Sequence, residues 1–151
     1  MKDISEIIKT KSSLPLAKRT VLNVSLASIN FKEGLLSVLK TYDISIEQFN
    51  VLRILRGKNG EPSNLKDIQD RMISKMSNTT RLVDKLILKN LVERFICENN
   101  RRKVDIYITD EGLRLLKIVD PLIEEQENEL TKNLSQDELE TLNLLLTKMR
   151  G

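Results

Sequence analysis

Histidine and tryptophan do not occur in this 151-residue chain, and cysteine occurs once, as Cys97. Without histidine, the commonest general base and the commonest transition-metal ligand are both missing. With a single thiol besides, neither a Cys/His zinc site nor an internal disulfide can be assembled, which fits a reducing compartment. The five glycines are scattered, so there is no phosphate-cradling Walker loop and no dinucleotide-binding pattern. No apolar run reaches membrane-spanning length, and the N-terminal MKDISEIIKTKSSLPLAKR has no continuous apolar stretch of signal-peptide type. Carboxylate chemistry is formally open, but nothing marks out a pair. The expectations are a cytoplasmic protein with no membrane partner, metal, cofactor or catalytic residue, and no enzymatic activity.

What is present describes a helix-rich globule. The chain is 40% apolar and 31% charged, with three prolines, and its length suits a single domain spanning 1–151. Its net charge of +3 is spread unevenly. Residues 51–110 carry 13 basic against 8 acidic side chains, and residues 111–151 carry 5 against 9. A basic middle suits a polyanion, and the acidic end suits something else.

Apolar periodicity and capping signals divide the chain into elements. Residues 14–42 read as a long helix whose apolar positions (Leu16, Val21, Val24, Ile29, Leu35, Leu36, Leu39) spread beyond one stripe, as they would if a second subunit packed on it. Ser45 and Gln48 form a capping box that opens a helix through Phe49, Leu52, Ile54 and Leu55, and the run 57–60 followed by Pro62 closes it. A short helix capped by Ser63 or Asn64 turns Leu65, Ile68 and Met72 inward. Ile73, Ser74 and Lys75 read as a tight turn, with Ser74 capping a helix over 75–89. The core face of that helix is expected at Met76, Leu82, Val83, Leu86 and Ile87, and Asn90 supplies the left-handed residue that ends it.

Residues 91–97 and 104–109 then read as two strands joined by a turn at Glu98, Asn99 and Asn100, because Val104, Ile106 and Ile108 alternate with polar neighbours. Arg101 and Arg102 fall at the tip of this hairpin. Thr109 caps a long helix through Leu113, Leu116, Val119, Ile123 and Leu130, which Pro121 is expected to bend. Ser135 and Glu138 form a second capping box before Leu139, Leu142, Leu145 and Leu146. The order is helix, helix, short helix, turn, helix, hairpin, helix, helix. This is a mainly α chain with a small β-hairpin wing: a winged helix-turn-helix over 45–110, flanked by dimerisation helices at 14–42 and 111–150.

At four stretches the chain resembles the MarR family of bacterial transcription regulators: ISIEQFNVLRIL (44–55), SNTTRLVDKLILKNLVER (77–94), NRRKVDIYITDEG (100–112) and LSQDELETLNLLLTKM (134–149). Their order and spacing match the family's second helix, its recognition helix and first strand, its wing and second strand, and its last helix. The resemblance implies a homodimer that sets two winged helix-turn-helix lobes on double-stranded DNA at a pseudo-palindromic operator. It further implies a repressor released by a small-molecule effector, whose identity and binding residues the sequence does not disclose. Asn90 stands where the family often has Gly, and Asn100 where it usually has Asp.

Within that frame, Asn78, Arg81 and Lys85 recur at helical spacing on a face away from Leu82, Val83 and Leu86. Arg and Asn suit bidentate contact with guanine and adenine edges. Ser74, Lys75, Ser77 and Thr80 gather at the helix start, where free N–H groups favour phosphate. Arg101 and Arg102 suit the adjacent minor groove and its phosphates, with Arg102 favoured for insertion by the family match. These nine residues are the expected DNA contacts, set against the plainer alternative of solvated faces. Cys97 could sense oxidants but is expected to be a small strand residue, and Phe31, Tyr42 and Phe49 are expected in the core rather than lining an effector pocket. Glu124, Glu125, Glu127 and Glu129 should form an exposed helix face away from DNA. The rival class is a winged-helix protein-interaction module, which would carry an apolar recognition face.

Overall fold

A computed structural model describes residues 2–96 and 104–151. After a four-residue helix α1 (Ile4–Ile7), which periodicity does not announce, the long helix α2 runs over Leu16–Leu39 and tightens into a 3-10 turn at Lys40–Tyr42. Then follow α3 (Ile46–Arg56), α4 (Leu65–Arg71), α5 (Thr79–Leu88), the strands β1 (Val92–Ile96) and β2 (Val104–Ile108), α6 (Asp110–Thr131) and α7 (Gln136–Arg150). The mainly α architecture with a two-stranded antiparallel hairpin is as expected. Both capping boxes form: the hydroxyls of Ser45 and Ser135 accept from the Gln48 and Glu138 amides, whose side chains reach back to the capping residues. Ser135 donates to Glu138 from its backbone N–H and its hydroxyl, at 2.8 and 3.0 Å, which holds that carboxyl below the usual glutamate range. Helix α6 runs through Pro121.

The core sits around α3, which buries Phe49, Val51, Leu52 and Leu55 against Ile68 and Met72 of the α4 segment, Val83 and Leu86 of α5, Ile106 of β2, and Leu116, Val119 and Ile123 of α6. In β2 only Ile106 is fully enclosed, with Val104 and Ile108 half-buried on the same side. The sheet gains a third partner from the α3–α4 connection. Ser63 donates to the Ile106 carbonyl at 3.0 Å and accepts from its N–H at 2.8 Å, so Ser63 is a strand-like brace and the cap of α4 is Asn64. Tyr42 packs against the core and Phe49 lies within it, but Phe31 is 40% exposed, contrary to expectation.

Helix α5 starts later than the spacing predicts. Its N-cap is Asn78, whose side chain accepts from the Arg81 amide at 3.0 Å, and residues 73–78 are a turn. The physical reason lies in the run Ser77-Asn78-Thr79-Thr80: all are weak helix formers whose side chains compete for backbone groups, and Asn caps at least as well as Ser. Ser74 therefore caps nothing, and Met76, expected in the core, is 96% exposed. The turn is held from α4. Gln69 donates to the Lys75 carbonyl at 2.9 Å and accepts from the Thr79 hydroxyl, while the Lys75 ammonium bonds the Asp70 carbonyl.

The far end of α5 closes as expected at Asn90, with φ 57°. Leu91 N–H reaches the Leu86 carbonyl at 3.0 Å and Asn90 N–H reaches Ile87 at 2.9 Å, the paired bonds of a left-handed helix stop. Thr109 then ties three elements together. Its hydroxyl donates to the Asn90 carbonyl at 2.8 Å and accepts from the Gly112 N–H at 3.0 Å, and its own N–H donates to the Leu91 carbonyl at 3.1 Å. Gly112 is required by this closeness, since a Cβ there would stand 2.4 Å from the Leu91 oxygen and 2.7 Å from Ile108 Cγ1.

Two stability predictions follow from these joints. Gly112→Ala should cost roughly 1–3 kcal/mol in urea denaturation at fixed protein concentration, because backbone must move to admit the methyl group; an unchanged midpoint would mean the joint has slack. Gln69→Ala leaves the Thr79 hydroxyl, on a buried residue, without its partner and should also cost roughly 1–3 kcal/mol. A Gln69→Ala variant as stable as the parent would show that the turn does not depend on this side chain.

Candidate nucleic-acid interface

The exposed edge of α5 and the turn before it form one surface. Ser74, Met76, Ser77, Asn78, Arg81, Leu82 and Lys85 border an open groove of about 420 Å³, closed on its other side by Glu47 from the first turn of α3. The helical arrangement explains the grouping: Arg81 and Lys85 are one turn apart, whereas Val83 and Leu86 turn into the core. Neither Arg81 nor Lys85 forms an ion pair among the described residues, and both are exposed. Thr80 is exposed beside them, and Lys75 stands on the turn with its ammonium on the Asp70 carbonyl.

Other cations near α5 are already engaged. Lys89 pairs with Asp43 at 2.9 Å, which fixes the end of α5 to the left-handed residue after the 3-10 turn. Arg94 of β1 pairs with Asp84 of α5 at 2.7 Å, bracing strand against helix. The free positive charge of the helix is thereby concentrated at Arg81 and Lys85. Asn78 takes a different place from the one expected. Its side-chain oxygen accepts from the Arg81 N–H, so one of its two lone pairs is spent on capping the helix. Its remaining N–H₂ can still donate.

Of the nine expected contact residues, seven (Ser74, Lys75, Ser77, Asn78, Thr80, Arg81 and Lys85) lie on the turn or the first two turns of α5. Arg101 and Arg102 lie outside the described residues, as do Cys97 and the turn 98–100. The residues that sequence reasoning missed are Gln69, Thr79 and Glu47. A signal for the first two existed only in part: Thr79 heads the helix once Asn78 is taken as its cap, but its bond to Gln69 spans ten positions and no periodicity reveals it. The acidic stretch is exposed on α6 as expected. Among the described residues there is no cluster of three or more His, Cys, Asp or Glu suited to a metal ion, and no helix long and apolar enough to cross a membrane.

Known proteins share this arrangement. The MarR family profile matches residues 44–104, the segment from the α3 capping box to the start of β2. The multiple antibiotic resistance protein MarR of Escherichia coli K12 is 34% identical over 113 residues, covering 74% of this chain and 76% of that protein. The HTH-type transcriptional regulator MhqR of Bacillus subtilis 168 is 29% identical over 140 residues, covering 93% and 92%. Among solved structures, a cysteine-to-serine mutant of E. coli MarR complexed with operator DNA superimposes with a TM-score of 0.76 at 26% identity, covering 99% of both chains. With the capped helix α5, the hairpin and these likenesses together, the chain belongs to the MarR family of transcription regulators.

Proposed function

We propose that this protein is a sequence-specific DNA-binding regulator, most simply a ligand-responsive repressor, that acts as a homodimer on a pseudo-palindromic operator. The observation that carries the reading is the exposed pair Arg81 and Lys85 on a helix whose opposite face is locked into the core. A helix presented this way fits the major groove, about 12 Å wide, with Arg suited to guanine and Lys to guanine or phosphate. Ser74, Lys75, Ser77, Asn78 and Thr80 serve the backbone at the helix start, where N–H groups favour phosphate. Arg101 and Arg102 are assigned to the minor groove on sequence grounds. The family likeness, including a relative solved with operator DNA, supports the same reading. A protein-interaction module would be served by a wholly apolar recognition face; here the turn exposes Ile73 and Met76, but the helix edge beside them carries the charges of Arg81 and Lys85, unpaired among the described residues.

The homodimer is supported by apolar surface that a single chain leaves uncovered. Helix α7 buries none of its residues, and Leu142, Leu144, Leu145 and Met149 are 39–69% exposed. Helix α2 fully buries only Leu39 and exposes Leu16, Val21, Ile29, Phe31 and Leu36. Isolated helices of this length owe their stability to an amphipathic face that packs. Covering these faces with the same faces of a second chain, together with α6, would supply that packing, which supports a dimerisation role for 14–42 and 111–150.

Two outcomes are expected. Arg81→Ala should weaken binding to an operator duplex by roughly 1–3 kcal/mol and relax the preference at the base pair it reads, measured by fluorescence anisotropy on the operator and its single-pair variants; an unchanged affinity and preference would remove Arg81 from base recognition. Leu145→Asp should shift the sedimenting species from two chains toward one. A dimer of undiminished stability in that variant would mean that α7 is not at the subunit interface.

A further inference from the structure

The turn that leads into α5 carries two large apolar side chains in the open. Met76 is 96% exposed and Ile73 is 89% exposed, the two highest values among the large hydrophobic residues described. Single exposed apolar residues are ordinary on protein surfaces. These two are distinguished by where they stand and by how the turn is held. They fall within four positions of each other, among Ser74, Lys75 and Ser77, and Met76 borders the same groove as Arg81 and Lys85. The backbone on which they ride is pinned at Lys75, whose carbonyl takes the Gln69 side chain at 2.9 Å and whose ammonium bonds the Asp70 carbonyl. Ser77 N–H reaches the Ser74 carbonyl at 3.3 Å. The turn therefore presents Met76 outward by construction.

We infer that Met76 is a specificity-determining contact that reads thymine 5-methyl groups in the major groove. The inference rests on the DNA-binding reading of the same surface. The groove floor offers one apolar feature, the thymine methyl, and it is met by apolar side-chain groups. An unbranched, polarisable thioether adapts to such a surface better than a branched side chain. Continuity with the cationic edge argues for DNA as the occupant: the groove that Met76 borders carries two cations, Arg81 and Lys85, against one carboxylate, Glu47. The chemistry at the site is then complementary, with charge for phosphate and guanine and an apolar tip for thymine.

The test begins with a duplex enriched by the wild-type full chain from a randomised pool. Its affinity is measured by anisotropy with thymine, and again with every thymine replaced by uracil, for wild type and for Met76→Ala. Wild type should lose roughly fourfold in affinity for each contacted methyl removed, the equivalent of one buried methylene. Met76→Ala should bind the thymine duplex more weakly and lose most of the discrimination between the two duplexes. A thymine preference equally large in Met76→Ala, or absent from wild type, would overturn the inference while leaving DNA binding intact, and so would an enriched site without thymine opposite the turn. Failure to enrich any sequence would overturn the DNA-binding reading and this inference with it. Because Met76 is exposed and outside the helix, its replacement should leave the melting temperature unchanged, which separates a lost contact from a lost fold.

Discussion

The joint at Thr109 is the constraint on which the geometry of the rest depends. One hydroxyl closes the stop of α5 and caps α6, and the N–H of the same residue reaches the Leu91 carbonyl at the root of the hairpin. The glycine three positions on is forced by the closeness of that carbonyl. Helix α5, the hairpin and α6 thus meet within a few ångströms, with no linker between the hairpin and the helix that follows. Any rotation of α6 must carry the end of α5 with it or break these bonds.

That coupling gives the remaining features a common purpose. Helix α5 is fixed at its start by Gln69 and Thr79, along its length by the Asp84–Arg94 pair, and at its end by Asn90 and the Lys89–Asp43 pair. The ion pairs are partly exposed and contribute modestly to stability; their use is to consume nearby charges and to orient the helix. What stays uncommitted is the edge with Arg81 and Lys85. On the other side of the joint, α2, α6 and α7 carry apolar surface that one chain leaves exposed. In the proposed dimer, the spacing between the two α5 edges is then set through α6, which Thr109 joins directly to the end of α5. An effector that shifts the helices need only repack that framework to change how the edges match successive grooves.

Much of this was legible in the sequence, and what was not has definite causes. Local chemistry announced itself: the Ser45 and Ser135 capping boxes, Asn90 as the left-handed stop, Thr109 as a cap and the alternation around Ile106 all depend on residues within a few positions of one another. Spacing alone starts α5 too early because Ser74 and Asn78 are both competent caps and Met76 falls on the helical repeat of Val83. The run of poor helix formers between them decides in favour of Asn78, and that choice turns Met76 from core to surface. Contacts between distant positions were invisible, among them Lys89 with Asp43 and Ser63 with Ile106. The division into a lobe and dimer helices rests on the resemblance, since periodicity alone only suggests it.

The most direct test of the account is amide hydrogen exchange of the full chain with and without a bound duplex. The account predicts that DNA adds protection across residues 74–88, with the acidic face at 124–129 unaffected. New protection confined to α2, α6 and α7, with the α5 edge exchanging as in the free protein, would contradict it.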